Sequence, residues 1–157
     1  IMTFLENFYN FFNESVESYN YQLISDNPFL FKYEFFDIVG NKYLVELKNI
    51  PVAKIGILSH VYELLYYVED EGTFSVSKVV NVNPYRVLKT VFTDILEDFS
   101  IRCKNAKIIY LVGLAKEREK EFITVRTKVY KRYLDRNPPK EFSVQQSGNS
   151  IQLRRIK

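Results

Sequence analysis

The chain has no tryptophan, one histidine, one cysteine, and only five glycines and five prolines in 157 residues. A lone cysteine, Cys103, excludes an intramolecular disulfide and a thiol-rich metal centre. A lone histidine, His60, excludes paired-histidine phosphodiesterase motifs and multi-histidine metal sites. As a general base it would need a nearby carboxylate or nucleophile. Glu63 is close in sequence, but strand positions three apart face opposite ways. There is no P-loop, no Gly-x-Ser-x-Gly and no His-Glu-x-x-His. Catalytic and metal-ligating residues are therefore expected to be none. The acids Glu69, Asp70 and Glu71 before Gly72 read as a solvated hairpin turn. No apolar run reaches the ~18 residues of a membrane span. The first residues, IMTFLENFYNFF, lack a basic stretch and do not read as a signal peptide. The expected location is cytoplasmic.

What the chain does have is apolar and aromatic bulk. Hydrophobic residues make up 46%, with 13 Phe and 12 Tyr, enough to fill the core of one folded domain. Charge is unevenly spread. Residues 1–101 hold seven Lys/Arg against fourteen Asp/Glu, and residues 102–157 hold fifteen against five. Either folding interleaves the halves, or a basic face is left for an acidic protein or nucleic acid.

Residues 1–24 are expected to form an N-terminal amphipathic helix, with Phe4, Leu5, Phe8, Phe11, Phe12, Val16 and Tyr19 on one stripe. Thr3 and Glu6 suit a capping box at its start, and Pro28 follows its end. A sheet-and-helix core then spans 29–157. FLFKYEFFDIVGNKYLVELKNI reads as a hairpin around Gly40-Asn41, with Tyr43, Val45 and Leu47 on one face. HVYELLYYVE is apolar on both faces and reads as a central strand. NVNPYRVLKTVFTDILEDF opens with Asn83 as cap and Pro84 in the first turn, then runs as a helix. KIIYLVG is a short buried strand after it, a parallel crossover. A helix over about 116–135 turns Phe122, Val125, Val129, Tyr130 and Tyr133 inward, and Asn137-Pro138-Pro139 stops it. EFSVQQSGNSIQLRRI closes the chain as a hairpin. The expected fold class is α+β: a single domain, 1–157, with a mixed, mainly antiparallel sheet and about three helices.

This order of elements resembles the GNAT acyltransferases over roughly residues 29–156. The resemblance implies a strand ending in a turn whose amides hold the pyrophosphate of acetyl-CoA. The family's Gln/Arg-x-x-Gly-x-Gly/Ala loop falls on VVNVNPYRVLKT, which has no glycine, and Pro84 removes one amide. Arg86 and Lys89 are the cations nearest that turn. Tyr130 falls near the family's tyrosine acid, but YKRYLDRN lacks the Tyr-x-x-x-Gly-Phe pattern, so it reads as core. YEFFDIVGNKYLVEL, PYRVLKTVFTDILEDF, AKIIYLVG and RTKVYKRYL are also similar to small uncharacterised proteins of tailed bacteriophages, which imply no activity.

Two function classes remain. The first is a non-enzymatic accessory or interaction protein, phage-encoded and in the host cytoplasm if that resemblance holds. Its contact residues to an acidic protein or nucleic acid would be Arg126, Lys128, Lys131, Arg132, Arg136, Arg154 and Arg155, with no cofactor. The N-terminal aromatic helix is a candidate surface for a homo-oligomer. The alternative is a GNAT-type acyltransferase using acetyl-CoA.

Overall fold

Alternating side chains around Gly40 fold as their pattern requires. In a computed structural model, which describes residues 17–51, 56–70, 73–75, 83–112 and 125–156, strand β2 (Leu30–Phe36) pairs antiparallel with β3 (Lys42–Asn49). Gly40 takes φ 92° in the turn between them, a conformation open to glycine and strained for other residues. Asp37 fastens that turn by accepting the Val39 and Asn41 amides. Phe31, Tyr33 and Phe35 of β2, with Tyr43, Val45 and Leu47 of β3, all point into the core.

Six further strands extend this pair. Strand β1 (Tyr21–Asn27) adds antiparallel to β2, and β4 (Val61–Asp70) adds to the far side of β3. The short β5 (Thr73–Ser75) folds back on the end of β4. Strand β6 (Ile108–Val112) lies parallel to the start of β4, as the crossover reading requires. The closing hairpin, β7 (Phe142–Ser147) and β8 (Ser150–Arg155), turns at Gly148 and inserts β8 beside β6. The strand order is β1-β2-β3-β4-β6-β8-β7, with β5 on β4. The acidic and basic halves of the sequence therefore stand side by side along the sheet, meeting where β4 pairs with β6.

One helical stretch joins β5 to β6 and covers one face of the sheet. It comprises α1 (Pro84–Lys89), a π-helical segment (Thr90–Ile95) and α2 (Leu96–Arg102). In the π segment the Leu96 amide reaches the carbonyls of both Val91 and Thr93. The widened turns bury Thr90, Val91, Phe92 and Ile95, four of the six residues. Phe99 meets Phe31 and Tyr62 edge-on, each with centroids 5.1 Å apart. Helix α3 (Val125–Arg136) packs on the same face, with Tyr130 against Phe92 and Tyr66. Fully burying rings such as Phe92 and Phe99 contributes about 1.5–3 kcal/mol each.

The expected three-helix α+β domain is corrected by this architecture. Among the described residues the molecule is mostly sheet, with one long helical stretch and one shorter helix. The expected N-terminal helix falls largely on residues 1–16, outside the described residues, but its tail is wrong. Tyr21–Asn27 is strand, with Tyr21 and Leu23 packed against the core and Gln22 and Ile24 exposed. Pro28 ends no helix; it sits in the β1–β2 turn, where its carbonyl accepts the Tyr62 hydroxyl at 2.7 Å. The start of the expected 116–135 helix also lies outside the described residues.

Candidate interaction surface

Strand directions decide which loops share an end. Strand β8 finishes opposite the start of β6, and β7 starts opposite the finish of β8. Strand β4 starts level with β6, and β3 finishes opposite the start of β4. Both helical stretches also finish at this end, since α2 leads into β6 and α3 leads into β7. The topology thus gathers exposed Lys48, Lys104, Lys107, Arg136, Lys140 and Arg154 from distant parts of the chain. Lys107 is held beside the end of β8, because its carbonyl accepts the Arg155 amide at 2.8 Å. At the same end are exposed Asp26, half-buried Glu63, and Glu141, which is engaged by Arg155.

The same end is apolar as well as basic. Of the ten exposed large hydrophobic side chains among the described residues, six lie here: Phe29, Ile50, Ile57, Leu58, Ile101 and Ile156. Phe29 and Ile156 are each fixed by a backbone contact across the loops. The Asn49 amide donates to the Phe29 carbonyl, and the Ile156 amide to that of Glu141. Buried Asn49 ties the β3–β4 connection down, donating from its side chain to the Ser59 carbonyl and accepting the Ser59 amide. His60 is exposed and faces the Asn105 carbonyl at 3.0 Å, joining that loop to the α2–β6 turn.

The seven cations expected from sequence do not form one cluster. Arg155 is interior: its side chain is 6% exposed and donates to Glu141 and to the carbonyls of Ala106, Ser100 and Cys103. Lys131 pairs with Asp135 one turn on, at 2.8 Å. Arg132 is half-buried in mid-helix, and Lys128 is exposed towards the start of α3, away from the basic end. The Arg126 side chain lies outside the described residues. Only Arg136 and Arg154 reach the basic end, where Lys104 and Lys107 join them without any local sequence signal.

The helix start that would hold a phosphate is occupied by its own cap. Asn83 is left-handed at φ 45°, its side chain accepts the Arg86 amide at 3.3 Å, and its carbonyl accepts those of Arg86 and Val87. Pro84 has no N–H to offer. The first turn therefore does not fit a diphosphate. Tyr130 is buried against Phe92 and serves the core. Among the described residues no group of three His, Cys, Asp or Glu is placed to hold a metal ion, and no helix is long and apolar enough to cross a membrane. Set against protein-family models, curated proteins and solved structures, the chain matches none.

Proposed function

We propose that the protein is a non-enzymatic interaction module that docks an acidic protein surface on its basic, apolar end. One observation carries this reading: six exposed cations and six exposed apolar side chains stand in loops and at element ends on the same end of the sheet. Apolar patches rimmed by charge are the chemistry of protein interfaces, where burial gives affinity and charge steers encounter. Nucleic acid is less well served. Bases bind by stacking on rings, and of the six apolar side chains only Phe29 is aromatic. A phage-encoded accessory protein working in the host cytoplasm is a natural setting for such a module.

The test is a triple reversal, Lys104→Glu, Lys107→Glu and Arg154→Glu, at three exposed positions. A synthetic peptide alternating acidic residues with leucine should bind the unaltered protein and lose about tenfold or more in affinity with the variant, with the melting temperature nearly unchanged. Single- and double-stranded DNA should bind more weakly than the peptide, with a steep salt dependence. Tighter binding of DNA than of peptide would transfer the surface to nucleic acid. Equal peptide binding by the variant would remove the reading.

One observation favours a second reading, acyl transfer from acetyl-CoA. Strands β4 and β6 pair only from Val61 to Leu64, and β5 joins β4 again at Val68. Between them the β4 edge has no neighbouring strand among the described residues, a gap at the carboxyl ends of parallel strands where ligands commonly sit. The first turn of α1 is capped by Asn83 and offers a diphosphate no free amide at Arg86 or Val87, so the coenzyme would have to be held elsewhere. Acetyl-CoA at about 100 times its dissociation constant would add about 2.7 kcal/mol. A flat melting temperature at millimolar acetyl-CoA ends this reading.

A further inference from the structure

Three shielded polar atoms belong to Ser18 and Tyr19, just before β1, and to Arg86 of α1. The Arg86 Nε, the Tyr19 hydroxyl and the Ser18 hydroxyl are buried, and none makes a hydrogen bond among the described residues. Burial holds the Tyr19 hydroxyl above its ordinary value; the nearby Ile38 backbone offsets this only in part, without hydrogen-bond geometry. Buried polar groups are paired as a rule, and a group left over commonly marks the place of a water or an ion. The Arg86 guanidinium lies over the Tyr19 ring, 4.0 Å from its centroid. Its flat face is thus satisfied by the ring, while the N–H edge that suits an oxyanion is not.

The nearest acid does not fill that role. Asp37 is 6% exposed, and its two oxygens accept from the Val39 and Asn41 amides, the Asn41 side chain and the Tyr43 hydroxyl. No carboxylate among the described residues forms an ion pair with Arg86. Arg86, Tyr19 and the hydrogen-bonded Asp37 line a groove of about 570 Å³, together with Asn20, Gln22, Phe36 and Ile38. Phe36 and Ile38 are exposed there and give the groove an apolar wall; Asn20 and Gln22 add neutral polar groups. Glu34 also lines it, but is drawn towards Lys42 at 3.5 Å. The volume is in the range of small-molecule sites, and a mainly apolar wall with a few polar groups is their usual chemistry.

We propose that this groove binds a small ligand bearing a carboxylate or phosphate on an apolar body. Arg86 holds the oxyanion through its N–H edge, Tyr19 keeps the guanidinium flat and in place, and Phe36 and Ile38 pack on the body. Helix amides take no part, because Asn83 already uses those of Arg86 and Val87. The groove lies where β1 starts and β2 finishes, the opposite end of the sheet from the basic surface. It is therefore independent of the proposed protein contact.

The test follows the Arg86 side-chain N–H signal in the isotope-labelled full chain, titrated with inorganic phosphate and with butyrate at millimolar concentrations. A saturable shift with either anion supports the site, and the anion that binds more tightly identifies the headgroup. Saturating anion should also raise the melting temperature of the unaltered protein but not that of Arg86→Met, which should itself melt no lower without ligand, since it removes a shielded charge that has no counter-ion. Arg86→Lys, which keeps the charge without the fork, should bind about tenfold more weakly. No saturable shift with either anion overturns the proposal, as does an undiminished response, read by melting temperature, in Arg86→Met.

Discussion

Arg155→Ala is expected to lower the unfolding free energy by about 3 kcal/mol, measured as a shift in the denaturant midpoint. The side chain crosses from β8 to the end of the long helical stretch and is spent entirely inside the protein. Its Nε donates to the Ala106 carbonyl at 2.7 Å, and its terminal nitrogens reach the Ser100 and Cys103 carbonyls and Glu141. Ser100 and Cys103 close the end of α2, where unsatisfied carbonyls concentrate partial negative charge. The guanidinium also stands 4.9 Å from the Phe142 ring centroid. Removing it strands buried carbonyls, although Glu141, at 43% side-chain exposure, regains water and softens the loss. A domain of this size is stable by only about 5–15 kcal/mol, so the effect is large. Arg155→Lys should recover less than half, because an ammonium cannot reach four acceptors from one fork. The neighbouring Arg154→Ala should change stability by no more than about 0.5 kcal/mol, since that side chain is exposed. Equal effects at the two positions would contradict the interior placement of Arg155.

The contrast between these adjacent arginines also shows what the sequence reveals. Ile151, Leu153 and Arg155 share one face of β8 and Arg154 the other, so period-two alternation already separates them. Treating both as surface cations overlooked it. The β2–β3 hairpin, the central β4, the long helix and the parallel β6 were legible because each has a strong local pattern. Tyr21–Asn27 was not. Tyr19 and Leu23 continue the helical stripe from Val16, while Tyr19, Tyr21 and Leu23 alternate as the face of a strand, so both patterns are present. The choice is made by pairing with β2, a partner outside any local window. The basic end was legible only in part for the same reason. Lys104 and Lys107 are separated from Arg154 by about fifty residues, and only the register of β6 against β8 brings them together. The oxyanion groove is likewise non-local, since Tyr19 and Arg86 meet only after β1 docks beside the helix. Composition supplied a partial clue: the two halves lie side by side along the sheet, but Pro84–Arg102 of the acidic half packs against α3 of the basic half.

Alkaline titration should expose the tyrosine core more sharply than any single substitution. Tyr33, Tyr43, Tyr62 and Tyr133 are each at most 2% exposed, and in each the hydroxyl is pushed well above the ordinary tyrosine value of 10.0. Loss of hydration is the largest cause in all four. Hydrogen-bonded acids add to it at Tyr33, which donates to Asp98 at 2.8 Å, and at Tyr43, which donates to Asp37 at 3.2 Å. At Tyr62 the Cys103 thiol, 3.3 Å from the hydroxyl, acts in the same direction. At Tyr133 the bond to Thr93 works against burial but does not cancel it. Because the folded state keeps these protons longer than the unfolded chain, stability is unaffected below about pH 10 and falls above it. Each such tyrosine contributes a slope of about 1.4 kcal/mol per pH unit between its unfolded and folded values. Four together should unfold the protein within about one to two pH units above pH 10. The ultraviolet absorbance of tyrosinate should then rise cooperatively, together with the loss of far-ultraviolet circular dichroism. Tyr33→Phe should flatten the slope by one tyrosine's share while costing about 1.5–3 kcal/mol at neutral pH, the usual worth of a hydrogen bond to a charged acceptor. Gradual ionisation of all the tyrosines near pH 10 with the circular dichroism unchanged would show that these hydroxyls are open to water, and that the sheet is not packed as described.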